Sequence, residues 1–210
     1  MGFILKISRA MELITLIRNQ YWGLLNIPKL GKLEDICTKY DSFSLGITES
    51  STLDIGCGLN PKNPFKAENV FGIDIRSNEN NIRSADLSLQ PIPFNDNTFD
   101  YITAHDFIEH VPRVIYAPNI RFAFVELMNE IWRSLKPNGI FLSRTPIYPY
   151  EASFRDPTHV NMITHETFPL YFSKESCMAS MYGFRGEFEI LEQAIRPPYL
   201  ISILKKLPQY

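Results

Sequence analysis

Two acids and two glycines stand at a spacing suited to holding a nucleoside. In Ser51-Thr52-Leu53-Asp54-Ile55-Gly56-Cys57-Gly58-Leu59-Asn60-Pro61, an apolar run containing one acid ends in a glycine turn. A second apolar run, Val70-Phe71-Gly72-Ile73-Asp74-Ile75, carries Asp74 near its C-terminal end. Glycine accepts positive φ and lets a ligand lie against bare backbone. If both runs are strands of an open α/β sheet, the turn and Asp74 share the crevice outside the carboxyl ends, where ligands bind. Backbone would line one side, and Asp74 would accept from both hydroxyls of a ribose. A second chemistry comes from the histidines His105, His110, His159 and His165. Histidine is the commonest proton acceptor in general base catalysis, and Asp156 lies close enough to His159 in sequence to orient its ring. Glu109, His110, Asp156 and His159 show no ligand-like spacing, so no metal is expected.

A dinucleotide fingerprint would require G-x-G-x-x-G. The third glycine position is Pro61, and Pro61 and Pro64 leave little room for a helix to receive a pyrophosphate. That argues against NAD or FAD. The run Leu53-Asp54-Ile55-Gly56-Cys57-Gly58 instead resembles motif I of the class I S-adenosylmethionine-dependent methyltransferases, with Asn60 standing for the usual third glycine. Ser84-Ala85-Asp86-Leu87 and the run from Pro91 to Asp100 resemble the third and fourth motifs of that family. Asp106-Phe107-Ile108-Glu109-His110-Val111 is similar to its D-V-L-E-H run, and Ser134-Leu135-Lys136-Pro137-Asn138-Gly139 to its L-K-P-G-G turn.

The resemblance implies a Rossmann-like α/β fold: a mostly parallel central sheet with an antiparallel C-terminal strand. It implies S-adenosyl-L-methionine as cofactor, with Asp54 orienting the methionine part, Asp74 binding the ribose hydroxyls and the Asp86-Leu87 pair flanking adenine. The full cofactor-binding set it implies is Asp54, Gly56, Cys57, Gly58, Asn60, Asp74, Ile75, Asp86, Leu87, His105 and Asp106. A D-P-T-H run, Asp156-Pro157-Thr158-His159, precedes Ile163-Thr164-His165-Glu166-Thr167-Phe168. This order is similar to a trimmed bacterial subgroup associated with polysaccharide assembly. The acceptor is then expected to be a hydroxyl of a small molecule or glycan, with His159, His110 and Asp156 as the catalytic residues. The alternative is a catalytically inactive binding or scaffold protein that keeps the methyltransferase fold.

These residues need particular elements to position them. Residues 1–50 read as a helical preamble and 51–210 as the methyltransferase domain. Ile7, Met11, Ile14, Ile17, Tyr21 and Leu24 fall at helical spacing, which predicts an amphipathic helix across the cofactor side of the sheet. Six basic against three acidic residues up to Tyr40 also suit a peripheral membrane or partner contact through that helix. Leu33 to Tyr40 suggests a second short helix, and Asp41 to Ser50 a polar connector. The prolines after Gly58 rule out an easy helix before Val70, and Arg76 to Asn81 allows only a turn. Pro118 to Lys136 is helical by period, Gly139 to Thr145 a fifth strand, and Glu166 to Met181 mostly helix. Phe188 to Glu192 alternates as a strand, with Tyr199 to Lys206 as its antiparallel partner. An amphipathic helical tail is the other reading of that last segment.

Composition narrows the class. The 210 residues can bury a full core, and 45% hydrophobic with 21% charged residues is ordinary globular usage. A net charge of −2 gives no global attraction to nucleic acid, and none is expected as partner. Three scattered cysteines point to reduced thiols and a cytoplasmic location. No apolar run reaches transmembrane length.

Overall fold

The computed structural model describes residues 10–15, 26–76 and 81–208. Seven strands form one sheet: β1 (Ser51–Ile55), β2 (Asn69–Asp74), β3 (Ile82–Ser84), β4 (Phe99–His105), β5 (Leu135–Pro146), β6 (Phe188–Arg196) and β7 (Tyr199–Lys206). Their order is β3-β2-β1-β4-β5-β7-β6. The first five run parallel, while β7 pairs antiparallel to both β5 and β6. This is the Rossmann-like class I methyltransferase fold, with β7 the antiparallel C-terminal strand that the sequence suggests. The strand reading of Tyr199 to Lys206 holds, because Pro197 and Pro198 sit at the turn and interrupt any helix.

The sheet is covered very unequally. On one face lies the longest described helix, α3 (Ala123–Ser134), which buries Phe124, Val125, Leu127, Met128 and Ile131. The helix starts five residues later than the period suggested. Residues 112–122 form an irregular segment instead, in which Ile115 and Arg121 exchange backbone hydrogen bonds. Beside it the short α4 (Thr167–Phe172) buries Phe168 and Phe172. The helix expected to run on to Met181 stops at Phe172, and Met178–Tyr182 is a 3-10 turn. Pro169 is tolerated because it falls in the first turn.

On the other face no helix joins β1 to β2. Residues 56–68 cross the sheet as an irregular strap. Phe65 does the work a helix would do: it is fully buried and stacks on Tyr101 of β4, with ring centroids 4.6 Å apart. The Asn63 side chain closes the strap by donating to Ala67 O and accepting from Ala67 N, both at 2.8 Å. Two short helices, α1 (Leu33–Cys37) and α2 (Ser42–Leu45), complete this layer. The second corrects the expectation of a plain connector from Asp41 to Ser50. The Asp41 carboxylate caps it by accepting from Ser44 N, and Gly46 ends it in the left-handed region.

Residues 28–30 run along the outer edge of β6, with Leu30 N donating to Ile195 O and Ile195 N to Pro28 O. Of the amphipathic helix expected from Ile7 to Leu24, only residues 10–15 are described. They are helical, with Met11 and Ile14 exposed; the remainder lies outside the described residues, as do 77–80 in the turn after Arg76. The fifth strand begins at Leu135 rather than Gly139. Asn138 takes a positive φ of 64° within it, and the register with β4 shifts between Phe99 and Tyr101. Among the described residues no helix is long and apolar enough to cross a membrane.

Candidate active site

The strand order reverses direction between β1 and β4, and the loops leaving β1, β2, β3 and β4 meet above that point. They enclose a cavity of about 340 Å3, within the range of small-molecule sites. Its walls are Gly56 after β1; Ile73, Asp74, Ile75 and Arg76 at the end of β2; Ala85, Asp86, Leu87 and Ser88 after β3; and Asp106, Phe107, His110 and Val111 after β4.

Gly56 has φ +69°, and a Cβ there would sit 2.6 Å from Cγ of Phe107. Only glycine lets the turn and the Phe107 ring share this space. Asp74 is 6% exposed and both its oxygens are engaged. Oδ2 accepts from Gly58 N at 2.9 Å. Oδ1 accepts from Arg76 N at 2.9 Å and Arg76 Nε at 3.2 Å. Burial alone would raise this carboxyl, but the Arg76 amide and guanidinium and the Gly58 amide together hold it below the usual range. It is therefore ionised at neutral pH, with the exposed Arg76 side chain as its charged partner.

Asp54 lies deeper in the first strand. It does not line the cavity. Its Oδ1 accepts from Thr103 Oγ1 at 2.7 Å and its Oδ2 from Lys62 N at 2.8 Å. The carboxylate thus ties the strap to β4. Burial pushes it up to about 6, against the lowering effect of those hydrogen bonds. Of the other residues picked out in the sequence, Gly56, Asp74, Ile75, Asp86, Leu87 and Asp106 line the cavity. Cys57, Gly58, Asn60 and His105 do not. Gly58 acts through its amide on Asp74, and Asn60 is exposed. Cys57 is buried against the strap, and a Cβ on Gly72 would meet its Sγ at 2.5 Å. His105 is buried with Nε2 unpartnered, and burial holds its pKa down to about 3, so the ring is neutral.

The D-P-T-H run folds over the end of β4. Val160 N and Asn161 N both donate to Glu109 O, and the Asn161 amide donates to Ile108 O at 3.2 Å. Arg113 holds Asn161 in turn, its Nε 2.8 Å from Asn161 Oδ1. The loop thereby carries His159 to His110, with ring centroids 4.8 Å apart and nearly perpendicular. Asp156 Oδ1 accepts from Thr158 N at 2.8 Å and from the Thr158 hydroxyl at 2.7 Å. The same hydroxyl lies 2.9 Å from Nδ1 of His110. Those Thr158 bonds hold Asp156 below the ordinary carboxylate range, so it is ionised and only accepts. The single Thr158 proton then belongs to Asp156, and Nδ1 of His110 must donate. In the neutral ring Nε2 then carries the lone pair.

Below the two imidazoles sits Glu109, 2% exposed. Its Oε2 accepts from the Thr145 hydroxyl at 2.9 Å, while Oε1 has no partner among the described residues. Burial is the main cause that pushes its pKa up to about 7. Asp106, which takes a positive φ of 51°, is paired with Arg144. Sequence reasoning assigned no role to Phe107, Thr145 or Thr158, and named Glu109 only in a ligand set that its spacing argued against. A glutamate inside an otherwise apolar run was the available signal for Glu109. The others become visible only once β4 and β5 are adjacent.

Residues 53–143 match the family model described as a methyltransferase domain. No curated protein matches the chain in sequence. Several solved structures share the fold. A SAM-dependent methyltransferase from Archaeoglobus fulgidus is 16% identical, with a TM-score of 0.50, covering 92% of this chain and 99% of that one. The [4+2]-cyclase SpnF is 17% identical with a TM-score of 0.53, covering 84% and 80%. Phosphoethanolamine N-methyltransferase 1 of Haemonchus contortus, in complex with phosphoethanolamine and S-adenosylhomocysteine, is 13% identical with a TM-score of 0.50, covering 84% and 44%. At these identities the likeness is one of fold, and it spans a protein named as a cyclase as well as transferases. The family match marks residues 53–143 as a methyltransferase domain, and the structural likeness supports its fold.

Proposed function

We propose that this protein transfers the methyl group of S-adenosylmethionine to a hydroxyl of a small molecule or glycan. The adenosine would lie along the wall made by Asp74, Ile75, Asp86 and Leu87, with its ribose hydroxyls on Asp74. The sulfonium would point toward Asp106 and His110, at the other end of the cavity. The methyl is already an activated electrophile, so the protein has mainly to orient it and exclude water.

One observation favours a hydroxyl acceptor: the Asp156–Thr158–His110 chain, which leaves an imidazole lone pair at a residue lining the cavity. A neutral alcohol is a poor nucleophile until its proton has somewhere to go. In the step, the acceptor oxygen forms a bond to the methyl carbon as the carbon–sulfur bond breaks. Sulfur leaves as a neutral thioether, and the hydroxyl proton passes through this cluster to water. Of the catalytic residues expected, His110 takes the position nearest the cofactor. His159 packs behind it, and Asp156 fixes the ring of His110 through Thr158.

The test is turnover of methyl-labelled cofactor against sugars, nucleotide-sugars and cell-envelope extracts. Labelled product that resists alkaline ester hydrolysis and carries an O-methyl ether supports the proposal. A purified chain that binds neither S-adenosylmethionine nor S-adenosylhomocysteine would instead favour a scaffold with this fold.

A further inference from the structure

We infer that Glu109, His110 and His159 hold a divalent transition-metal ion on the acceptor side of the cofactor cavity. One ligand atom from each of the three lies within 4.8 Å of the others. Nothing in their sequence positions announces this, because His159 arrives from a loop 49 residues after His110. The fold brings it there by pinning Val160 and Asn161 to the carbonyl of Glu109.

The hydrogen bonding of the cluster leaves ligand atoms available to an ion. Glu109 Oε1 is buried without a partner, in a side chain whose other oxygen is fixed by Thr145. His159 Nδ1 is also buried without a partner, in a side chain only 9% exposed. His110 has its Nδ1–H committed to Thr158, leaving Nε2 as the lone pair. Two buried atoms without partners and a ring nitrogen of His110 thus belong to residues whose ligand atoms lie together. Buried polar atoms without partners are costly, and a cation shared with His110 satisfies both Glu109 Oε1 and His159 Nδ1.

The surroundings also fit. Metal-bound histidines characteristically donate their other ring N–H to a carboxylate, a carbonyl or a bridging group, which fixes the tautomer. Asp156 fills this role for His110 through Thr158, and its Oδ2 lies 4.0 Å from Nε2 of His159. Two imidazoles with one carboxylate suit zinc, manganese or iron in the divalent state, with coordination positions left open. Because His110 also lines the cofactor cavity, those positions adjoin the methyl donor.

The role of the ion rests on the methyl-transfer reading; its binding does not. A cation here would take the acceptor through two neighbouring oxygens, as in a vicinal diol, and lower the pKa of the one to be methylated. His110 Nε2 is then a ligand, and the displaced proton goes to solvent.

The experiment uses the full chain, stripped with a chelator and dialysed. Mn2+ binding is followed by electron paramagnetic resonance and Zn2+ binding by calorimetry. S-adenosylhomocysteine binding is measured in parallel. The expected result is one saturable ion per chain, weakened at least ~10-fold in Glu109→Gln and in His159→Ala, with S-adenosylhomocysteine binding retained in both. A wild-type chain that binds S-adenosylhomocysteine but neither ion saturably overturns the metal site and leaves His110 as direct proton acceptor. Saturable ion binding without S-adenosylhomocysteine binding keeps the site and removes the methyl-transfer reading. Equal ion binding in wild type and both variants places the ion elsewhere and overturns the assignment.

Discussion

The hydroxyl of Thr158 lies 2.9 Å from Nδ1 of His110 and 2.7 Å from Oδ1 of Asp156, so one side chain couples a loop after β5 to a turn after β4. Thr158→Val keeps the shape and removes the coupling. Its turnover should fall ~10-fold or more, the cost of losing a group that orients a histidine. His110→Ala should lose ~10²-fold or more. Both variants should bind S-adenosylhomocysteine as wild type does, and a parallel loss of that binding would move His110 out of the acceptor side. Single-turnover kinetics and calorimetry measure the two quantities separately.

On the proposed reading, Asp74 anchors the ribose of the cofactor. Asp74→Ala removes a charged acceptor that is already oriented by Gly58 N and Arg76 N. S-adenosylhomocysteine affinity should weaken by more than ~1 kcal/mol. Arg76→Ala frees Oδ1 from the guanidinium and should leave affinity unchanged or raised. Unaltered binding in Asp74→Ala would show that the ribose lies elsewhere.

Gly56→Ala forces a methyl group into Phe107 at a backbone φ of +69°. Strain and overpacking together should lower stability by ~2–4 kcal/mol and close the cavity at that wall. Adding Phe107→Ala should recover part of the cofactor binding, because it removes the collision while leaving the dihedral strain. Thermal unfolding and calorimetry on the single and double variants distinguish the two contributions.

His105 sets an acid limit on the fold. Its pKa in the folded chain is about 3, against an ordinary value of 6.5, because burial disfavours the imidazolium and Lys62 and Arg144 add repulsion. The unfolded chain binds this proton more readily, so the stabilisation is complete above about 6.5 and is lost as pH falls toward 3. Between pH 7 and pH 5 the loss from this group is about 2 kcal/mol. His105→Asn should flatten the urea-midpoint curve over that window. An unchanged slope would mean that the ring is hydrated and protonates freely.

Much of the fold was legible because short apolar runs, prolines and glycines act locally. Pro61 and Pro64 forbid the first crossover helix whatever surrounds them, and Pro197 with Pro198 separates β6 from β7. The element boundaries that moved are those governed by packing. The helix expected from Pro118 begins at Ala123, where side chains first reach the core. Asp41 to Ser50 contains a helical turn because Asp41 is free to cap it. In the site, single acids at strand ends such as Asp74 declare themselves. Glu109, Thr145 and Thr158 do not, since their meaning is a meeting of β4, β5 and a loop far apart in the chain. Asp54 was singled out by the motif resemblance, but its bonds to Lys62 N and Thr103 Oγ1, which fasten the strap, become visible only in the folded chain.

Gly72, in the middle of β2, is the floor on which the strap rests. A Cβ there would lie 2.5 Å from the sulfur of Cys57 and 2.8 Å from Cγ of Pro61. A chain with an ordinary helical crossover has no such demand at this strand position, because a helix stands about 10 Å off a sheet. Glycine in the second strand and proline shortly after the glycine turn should therefore be inherited together or lost together. That pairing is a search pattern for evolutionary cousins: it would separate strap-bearing chains from helix-bearing ones before any of them is folded.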